Sequence, residues 1–257
     1  MSIPMTDEEA LLLSRLIELG ERSLTGRFVF TDFLGLAEQS VLAEALARMR
    51  GVKHTLFGGT EGTERVMARF GDEDELYYSE PFPIRTVRIA PRSQKFANAL
   101  THRDFLGAIL NLGIERRCVG DIAIVDNVGY VFLKDEVADF VSESLTKVKH
   151  TDVACTEIDE GDLPKDVLYR TEWRRIQLSS ERIDATVAKV FDLSRDDSQL
   201  LIKRGLVFVN GRAVDSASYT PKDGDVISAR GHGRFIYRGS SSLSKKGKLN
   251  VDVELYV

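Results

Sequence analysis

The sequence predicts an α+β, multidomain chain. An N-terminal α/β region is expected over residues 1–80, a middle βαββαβ domain over 81–160, a linker over 161–178 and a C-terminal domain over 179–257. Three observations predict this. The apolar spacing switches between a helical period and a period of two along the chain. Turn-forming pairs, Asn210-Gly211 above all, separate short alternating runs. Two acidic, proline-bearing stretches near 72–83 and 159–166 read as exposed joints, because few apolar residues there could be buried.

The N-terminal region opens with a helix whose stripe is Ala10, Leu13 and Ile17, with Leu16 beside it. A second helix is expected over 35–49, with Leu36, Ser40, Ala43, Ala47 and the neighbouring Leu42 and Leu46 on its face. A strand at 54–57 runs into Gly58-Gly59. Residues 61–70 read as another short helix, and 72–75 as a solvated acidic loop.

The middle domain begins with an alternating strand at 84–89. A helix over 101–112 follows, with Thr101 as cap, Asp104 at the capping-box position and Gly113 as terminator. Phe105, Ile109 and Leu112 share its face. Strands at 122–125 and 130–133 flank the turn Asp126-Asn127-Val128-Gly129. A helix over 134–145 and a strand over 153–158 complete a ferredoxin-like split βαβ order. Such a sheet is antiparallel, with both helices on one face and the other face free.

In the C-terminal domain, Ser179-Ser180 precede a helix carrying Ile183, Val187, Val190 and Phe191. Ser194 caps a second helix, with Asp197 at the capping-box position and Gly205 closing it. Strands at 206–209 and 213–214 flank Asn210-Gly211. Further turns fall at 222–225 and 230–234, and 250–257 alternates as a final strand.

Composition narrows the function classes. No apolar run approaches the ~18 residues of a membrane span. The N-terminus carries acids where a signal peptide has basic residues, so a cytoplasmic protein is expected. Cys118 and Cys155 form neither a disulfide framework nor a metal pair. His54, His102, His150 and His232 are scattered, so no metal or cofactor is implied. The net charge of −5 conceals an asymmetry: residues 171–257 carry +4 and residues 1–170 carry −9. A basic C-terminal third reopens nucleic acid as a partner, because phosphate binding depends on the local patch.

The candidate residues follow from that patch. On the helix after Ser194, Ser198, Leu201 and Ile202 group on an apolar side. Arg195, Gln199 and Lys203 group on a polar one, where cations flanking an amide suit an RNA backbone. Arg182 starts the preceding helix. Arg204 lies near the end of the second helix, close to the hairpin of Asn210, Gly211 and Arg212. Lys222 sits in the next turn, and Arg230 and Arg234 flank two glycines where backbone could approach a phosphate. The bland reading is a solvated charged face, weakened further by Asp196 and Asp197. Asn210-Gly211 is explained by the turn itself, whatever else Asn210 touches.

Residues 84–120 add a second basic surface: Arg85, Arg88, Arg92, Lys95, Arg103, Arg116 and Arg117 against Asp104 and Glu115. Arg103, Arg116 and Arg117 are its RNA candidates, the last two expected in solvent after Gly113. Tyr130 and Phe132 alternate on one strand face, as core or as base-stacking residues, with core favoured. Gly58-Gly59 reads as a turn, with a phosphate cradle as the alternative.

Several fragments carry a family resemblance. RID at 182–184, SR at 194–195, LIKRGLVFVNG at 201–211 and DGDVI at 223–227 resemble the S4 RNA-binding domain. TDFL at 31–34, FGG at 57–59, HRDFLGAILNLGIERRCVGDI at 102–122, SLTKV at 144–148 and RGHGRF at 230–235 resemble the YlmH family. The resemblance implies an RRM-like middle domain and a C-terminal S4 domain. It supports Arg182, Arg195, Gln199, Lys203, Arg204 and Asn210 as RNA contacts. It also implies a non-enzymatic role on the large ribosomal subunit in rescue of stalled translation, with rRNA as partner and tRNA as a second candidate. A monomer without membrane association is expected. The alternatives are an S4-containing RNA-modifying enzyme, such as a pseudouridine synthase, and a protein-interaction scaffold. Asp184 of RID belongs to the S4 helix itself, and no second Arg-Leu-Asp-like copy is present.

Overall fold

The computed structural model describes residues 5–94, 99–164, 171–244 and 247–256. The chain divides into two units, residues 7–168 and, chiefly, residues 169–257. Lys95, Lys245 and Lys246 lie outside the described residues.

In the first unit, α1 (Asp7–Ser23) buries Leu13, Leu16 and Leu19. Ala10, expected on that stripe, is exposed. After β1 (Val29–Phe30), α2 (Leu36–Arg48) buries Val41, Leu42 and Ala45. Ala43 and Ala47 of the predicted face are exposed instead. β2 (His54–Phe57) and β3 (Met67–Phe70) join β1 in an antiparallel sheet ordered β1-β3-β2. The helix expected over 61–70 is therefore a correction: turns are followed by β3. All four β3 residues are buried, and a strand covered on both faces shows no alternation to distinguish it from a helix. The acidic stretch expected as loop winds into a single turn, α3 (Glu73–Leu76), opened by Asp72, whose carboxylate accepts from the Asp74 N–H.

The second layer of this unit runs β4 (Ile84–Pro91), α4 (His102–Leu110), β5 (Val119–Val125), β6 (Val128–Lys134), α5 (Asp135–Ser144), β7 (Lys147–Val148) and β8 (Thr151–Ile158). The sheet is antiparallel, ordered β5-β6-β4-β8-β7. Asp126 and Asn127 make the β5–β6 turn with φ of 49° and 65°, as a two-residue primed turn requires. Thr101 and Asp104 cap α4 as predicted: the Asp104 carboxylate accepts from the Thr101 N–H at 2.8 Å and pairs with Lys149 at 2.9 Å. Val87, Ile89, Phe105, Ile109, Val131 and Val141 form the core under α4 and α5.

The opposite sheet face is covered rather than free. Phe132 packs with Phe33 and Met67. Tyr130 packs with Ala90, Ala123 and Leu163. Gly120 permits this closeness, since a Cβ there would come within 2.8 Å of the Phe33 ring. Residues assigned to 1–80 and to 81–160 thus share one core.

The second unit contains β9 (Thr171–Leu178), α6 (Ile183–Val190), α7 (Arg195–Lys203), β10 (Val207–Val209), β11 (Arg212–Ala213), β12 (Val226–Ala229), β13 (Gly233–Leu243) and β14 (Leu249–Tyr256). Its six strands are antiparallel in the order β11-β10-β12-β13-β14-β9. β9 is a further correction: the end of the expected linker is an edge strand, paired with β14 along its whole length. Ile176, Ile183, Val187, Ile202, Val207, Ile227, Phe235 and Val253 form the core between helices and sheet. Among the described residues, no helix is long and apolar enough to cross a membrane.

Candidate RNA interface

The N-terminal ends of α6 and α7 meet around one carboxylate. Asp184, in the first turn of α6, is fully buried. It accepts from the Arg182 guanidinium at 3.2 Å through both oxygens, from Arg195 Nη2 at 2.8 Å and from Gln199 Nε2 at 2.9 Å. Its main-chain carbonyl accepts from the buried Ser198 hydroxyl at 2.8 Å, which ties the two helices together. Burial alone would raise the Asp184 pKa. The hydrogen bonds from Gln199, Arg195 and Arg182 outweigh that penalty and hold it below the usual aspartate value.

The consequence for the cations is geometric. Arg182 and Arg195 each anchor part of the guanidinium on Asp184, yet keep 43% and 44% of the side chain in solvent. A guanidinium has five donors, so the remaining edge can reach an incoming phosphate from a fixed position. Ser194 caps α7 by accepting from the Asp197 N–H at 3.0 Å. Lys203, two turns beyond Arg195 and about 12 Å along the axis, is exposed, as is Arg204 at the helix end. The row stands between two open clefts. One, of about 420 Å³, is lined by Lys189, Arg195 and Lys248; the other, of about 340 Å³, by Gln199, Lys203 and Asp215.

The remaining candidates divide. Asn210 and Gly211 form the predicted turn, with φ of 48° and 77°. The Asn210 amide is committed: it donates to Asp225 at 2.9 Å and accepts from the Val226 N–H at 2.9 Å. Lys222 and Arg230 are exposed, while Arg212 and Arg234 are half-buried. Arg230 lies over the Phe208 ring at 4.8 Å and Arg234 over Tyr256 at 4.1 Å.

In the first unit, Arg103 is exposed. The pair after α4 does not behave as one patch. Arg117 is 58% exposed and pairs with Glu115 at 2.8 Å and Asp32 at 3.4 Å. Arg116 is half-buried and donates to the Val119 and Gly120 carbonyls, which corrects its expected exposure. Tyr130 and Phe132 are core. The Gly58-Gly59 cradle also fails: no helix follows, and a Cβ at Gly59 would strike the Phe132 ring. Among the described residues, no group of three or more His, Cys, Asp or Glu side chains could hold a metal ion.

Sequence reasoning left Asp184 outside the site, since only the fold brings it to Arg195 and Gln199. The i, i+4 spacing of those two on a helix signalled a shared partner but not its identity.

Residues 78–162 match the family described as a putative RNA-binding domain in YlmH, and residues 181–227 match the S4 domain. The chain is 32% identical over 228 residues to "Ribosome-associated protein quality control protein P2" of Bacillus subtilis (strain 168), covering 89% of this chain and 87% of that protein. It is 43% identical over 71 residues to "Small ribosomal subunit protein uS4" of Rhodospirillum centenum (strain ATCC 51521 / SW), covering 26% of this chain and 35% of that one. "Cell division protein ylmH from Streptococcus pneumoniae" shares the fold, with a TM-score of 0.50 at 22% identity over 63% of this chain and 98% of that one.

Proposed function

The chain belongs to the YlmH family, and on that premise we propose that it is a ribosome-associated RNA-binding protein of the large subunit, acting in rescue of stalled translation. It works by binding rather than by catalysis, in the cytoplasm and as a monomer. Large-subunit rRNA is the main partner and tRNA in the stalled complex the second. The observation that carries this reading is the Asp184 cluster: one buried carboxylate holds Arg182, Arg195 and Gln199 in place at the head of a helix that continues to Lys203 and Arg204. Preorganised donors lose little freedom when they take a phosphate. The relatives support ribosome association and RNA binding in general: one is named a ribosome-associated quality control protein and the other a small ribosomal subunit protein.

The middle sheet is read as RRM-like in topology but not in mode. Its aromatics Tyr130 and Phe132 are buried, so it contributes through Arg103 and Arg117 at its margin. Asn210 supports the hairpin, while Arg212, Lys222, Arg230 and Arg234 extend the contact beyond α7. Sedimentation with purified subunits tests the proposal. The intact chain should pellet with large subunits, and Lys203→Glu with Arg204→Glu should abolish pelleting at an unchanged melting temperature. Pelleting that persists in this variant would overturn it.

A further inference from the structure

The outer face of the six-stranded sheet carries aromatic rings and arginines apart from α7. Strand register arranges them. Phe208, Ser228 and Arg234 succeed one another across β10, β12 and β13, and Tyr256 faces Thr171 at the far edge. The next row runs Val226, Ile236, Glu254 and Trp173. Trp173 is the chain's single tryptophan, on edge strand β9, and is 69% exposed.

Packing does not account for that tryptophan. The core side of β9 is served by Ile176 and Leu178. Edge strands are ordinarily protected by charge, proline or a bulge, not by a large ring in water. Its neighbours are specific. Trp173 pairs across with Glu254, so Tyr256 is its diagonal neighbour, about 7–8 Å away. Arg234 lies against Tyr256 and Arg230 against Phe208. Among the described residues, the strand carboxylates of this face are paired, Asp252 with Arg175 at 2.6 Å and Glu254 with Arg238 at 2.7 Å, Arg238 also reaching Asp223 at 3.8 Å. Rings interleaved with arginines, without an acidic field, match unpaired nucleotides, whose faces stack and whose phosphates take guanidinium. A duplex hides its base faces, so it fits this surface poorly.

We propose that this face is a second RNA site, selective for unpaired bases: one base stacks on Trp173, its neighbour on Tyr256 beside Arg234, and Arg230 meets the backbone. The proposal rests on the RNA-binding reading above and shares Arg230 and Arg234 with it, but its stacking residues, Trp173 on β9 and Tyr256 on β14, lie apart from α7, so the two can fail separately.

The experiment is a fluorescence titration of the intact chain, with Trp173 as the reporter. A twelve-nucleotide oligouridylate should quench Trp173, and an RNA duplex of the same length should not. By anisotropy of the labelled single strand, Trp173→Ala should weaken binding between about fivefold and about a hundredfold. Trp173→Phe should recover most of the loss. Lys203→Glu with Arg204→Glu should leave the single-strand quench in place. Equal affinity in Trp173→Ala, or quenching by the duplex alone, overturns the proposal. Quenching by a poly-glutamate peptide but not by oligouridylate would overturn it in favour of an acidic protein partner. If the quench is seen but ribosome pelleting ignores Lys203 and Arg204, the function proposed above fails while this site stands.

Discussion

Arg65 and Arg69 of the first unit and Arg182 and Arg195 of the second are used in opposite ways. In residues 7–168, Arg65 donates from Nε to the Val119 carbonyl at 3.0 Å and from Nη2 to that of Phe33 at 3.0 Å. Arg69, only 8% exposed at the side chain, donates to the Glu80 carbonyl at 2.7 Å and pairs with Glu73. These guanidiniums satisfy main-chain acceptors inside the fold. In residues 169–257, Arg182 and Arg195 share one buried carboxylate and keep nearly half of each side chain in solvent. A cation count therefore says little about RNA. What distinguishes the two pairs is whether the fold consumes the donors or anchors them and leaves an edge outward.

The comparison breaks most visibly at Arg65. Arg65→Ala removes a donor from the Phe33 carbonyl and one of two from that of Val119, which Arg116 also reaches, and should cost about 2–4 kcal/mol of stability in the first unit. Denaturant melts should record it, with RNA affinity of the folded protein unchanged. A smaller effect is expected at Asp184. Asp184→Asn should cost about 1–3 kcal/mol, because three anchored donors lose a buried charged acceptor, and it should weaken RNA binding severalfold by loosening Arg182 and Arg195. The pH dependence has a definite sign. Asp184 is held below its unfolded value, so its contribution is complete above about pH 4 and fades as pH falls through the folded pKa. The Asn variant should lose that part of the acid limb; an unchanged limb would mean that the cluster does not hold the carboxylate ionised.

Asp104 sharpens the same point in the first unit. The Lys149 ammonium, followed by the Thr101 hydroxyl and N–H, lowers its pKa to about 2. Its stabilising effect should survive to more acidic pH and vanish as pH drops from about 4 towards 2. Asp104→Asn should flatten melting temperature against pH across that window. The smallest effect belongs to Arg117. Exposed ion pairs such as those with Glu115 and Asp32 contribute a few tenths of a kcal/mol. Arg117→Ala should therefore melt like the unmodified chain while weakening ribosome pelleting by the share of one phosphate contact, whereas Arg116→Ala should melt earlier.

Local signals made much of the fold legible. The strand at 54–57, the Thr101–Asp104 and Ser194–Asp197 caps, and the Asn210-Gly211 turn depend on neighbours in sequence, and the structure reproduces them. Apart from the two-residue β1 and β7, two strands were not legible, for opposite reasons. β3 is buried on every residue and shows no alternation. β9 presents Trp173, Arg175 and Gln177 outward and only Ile176 and Leu178 as buried apolar residues, so it reads as linker until β14 pairs with it. The site shows the same divide. Arg195, Gln199 and Lys203 fall on one side of a helix from spacing alone. The common anchor of Arg195 and Gln199 is Asp184, up to fifteen residues away, which a helix wheel does not show. Arg116 was misplaced because its acceptors are carbonyls of the strand that follows it.

The central claim is that the exposed cations along α7 neutralise RNA phosphates. Affinity for large-subunit RNA, measured across a salt series for the unmodified chain and for Lys203→Gln with Arg204→Gln, tests it most directly. Two lost phosphate contacts should reduce the slope of log affinity against log salt by about 1.4–1.8, with the melt unchanged. Parallel lines of equal slope would contradict the claim and return α7 to an ordinary solvated helix.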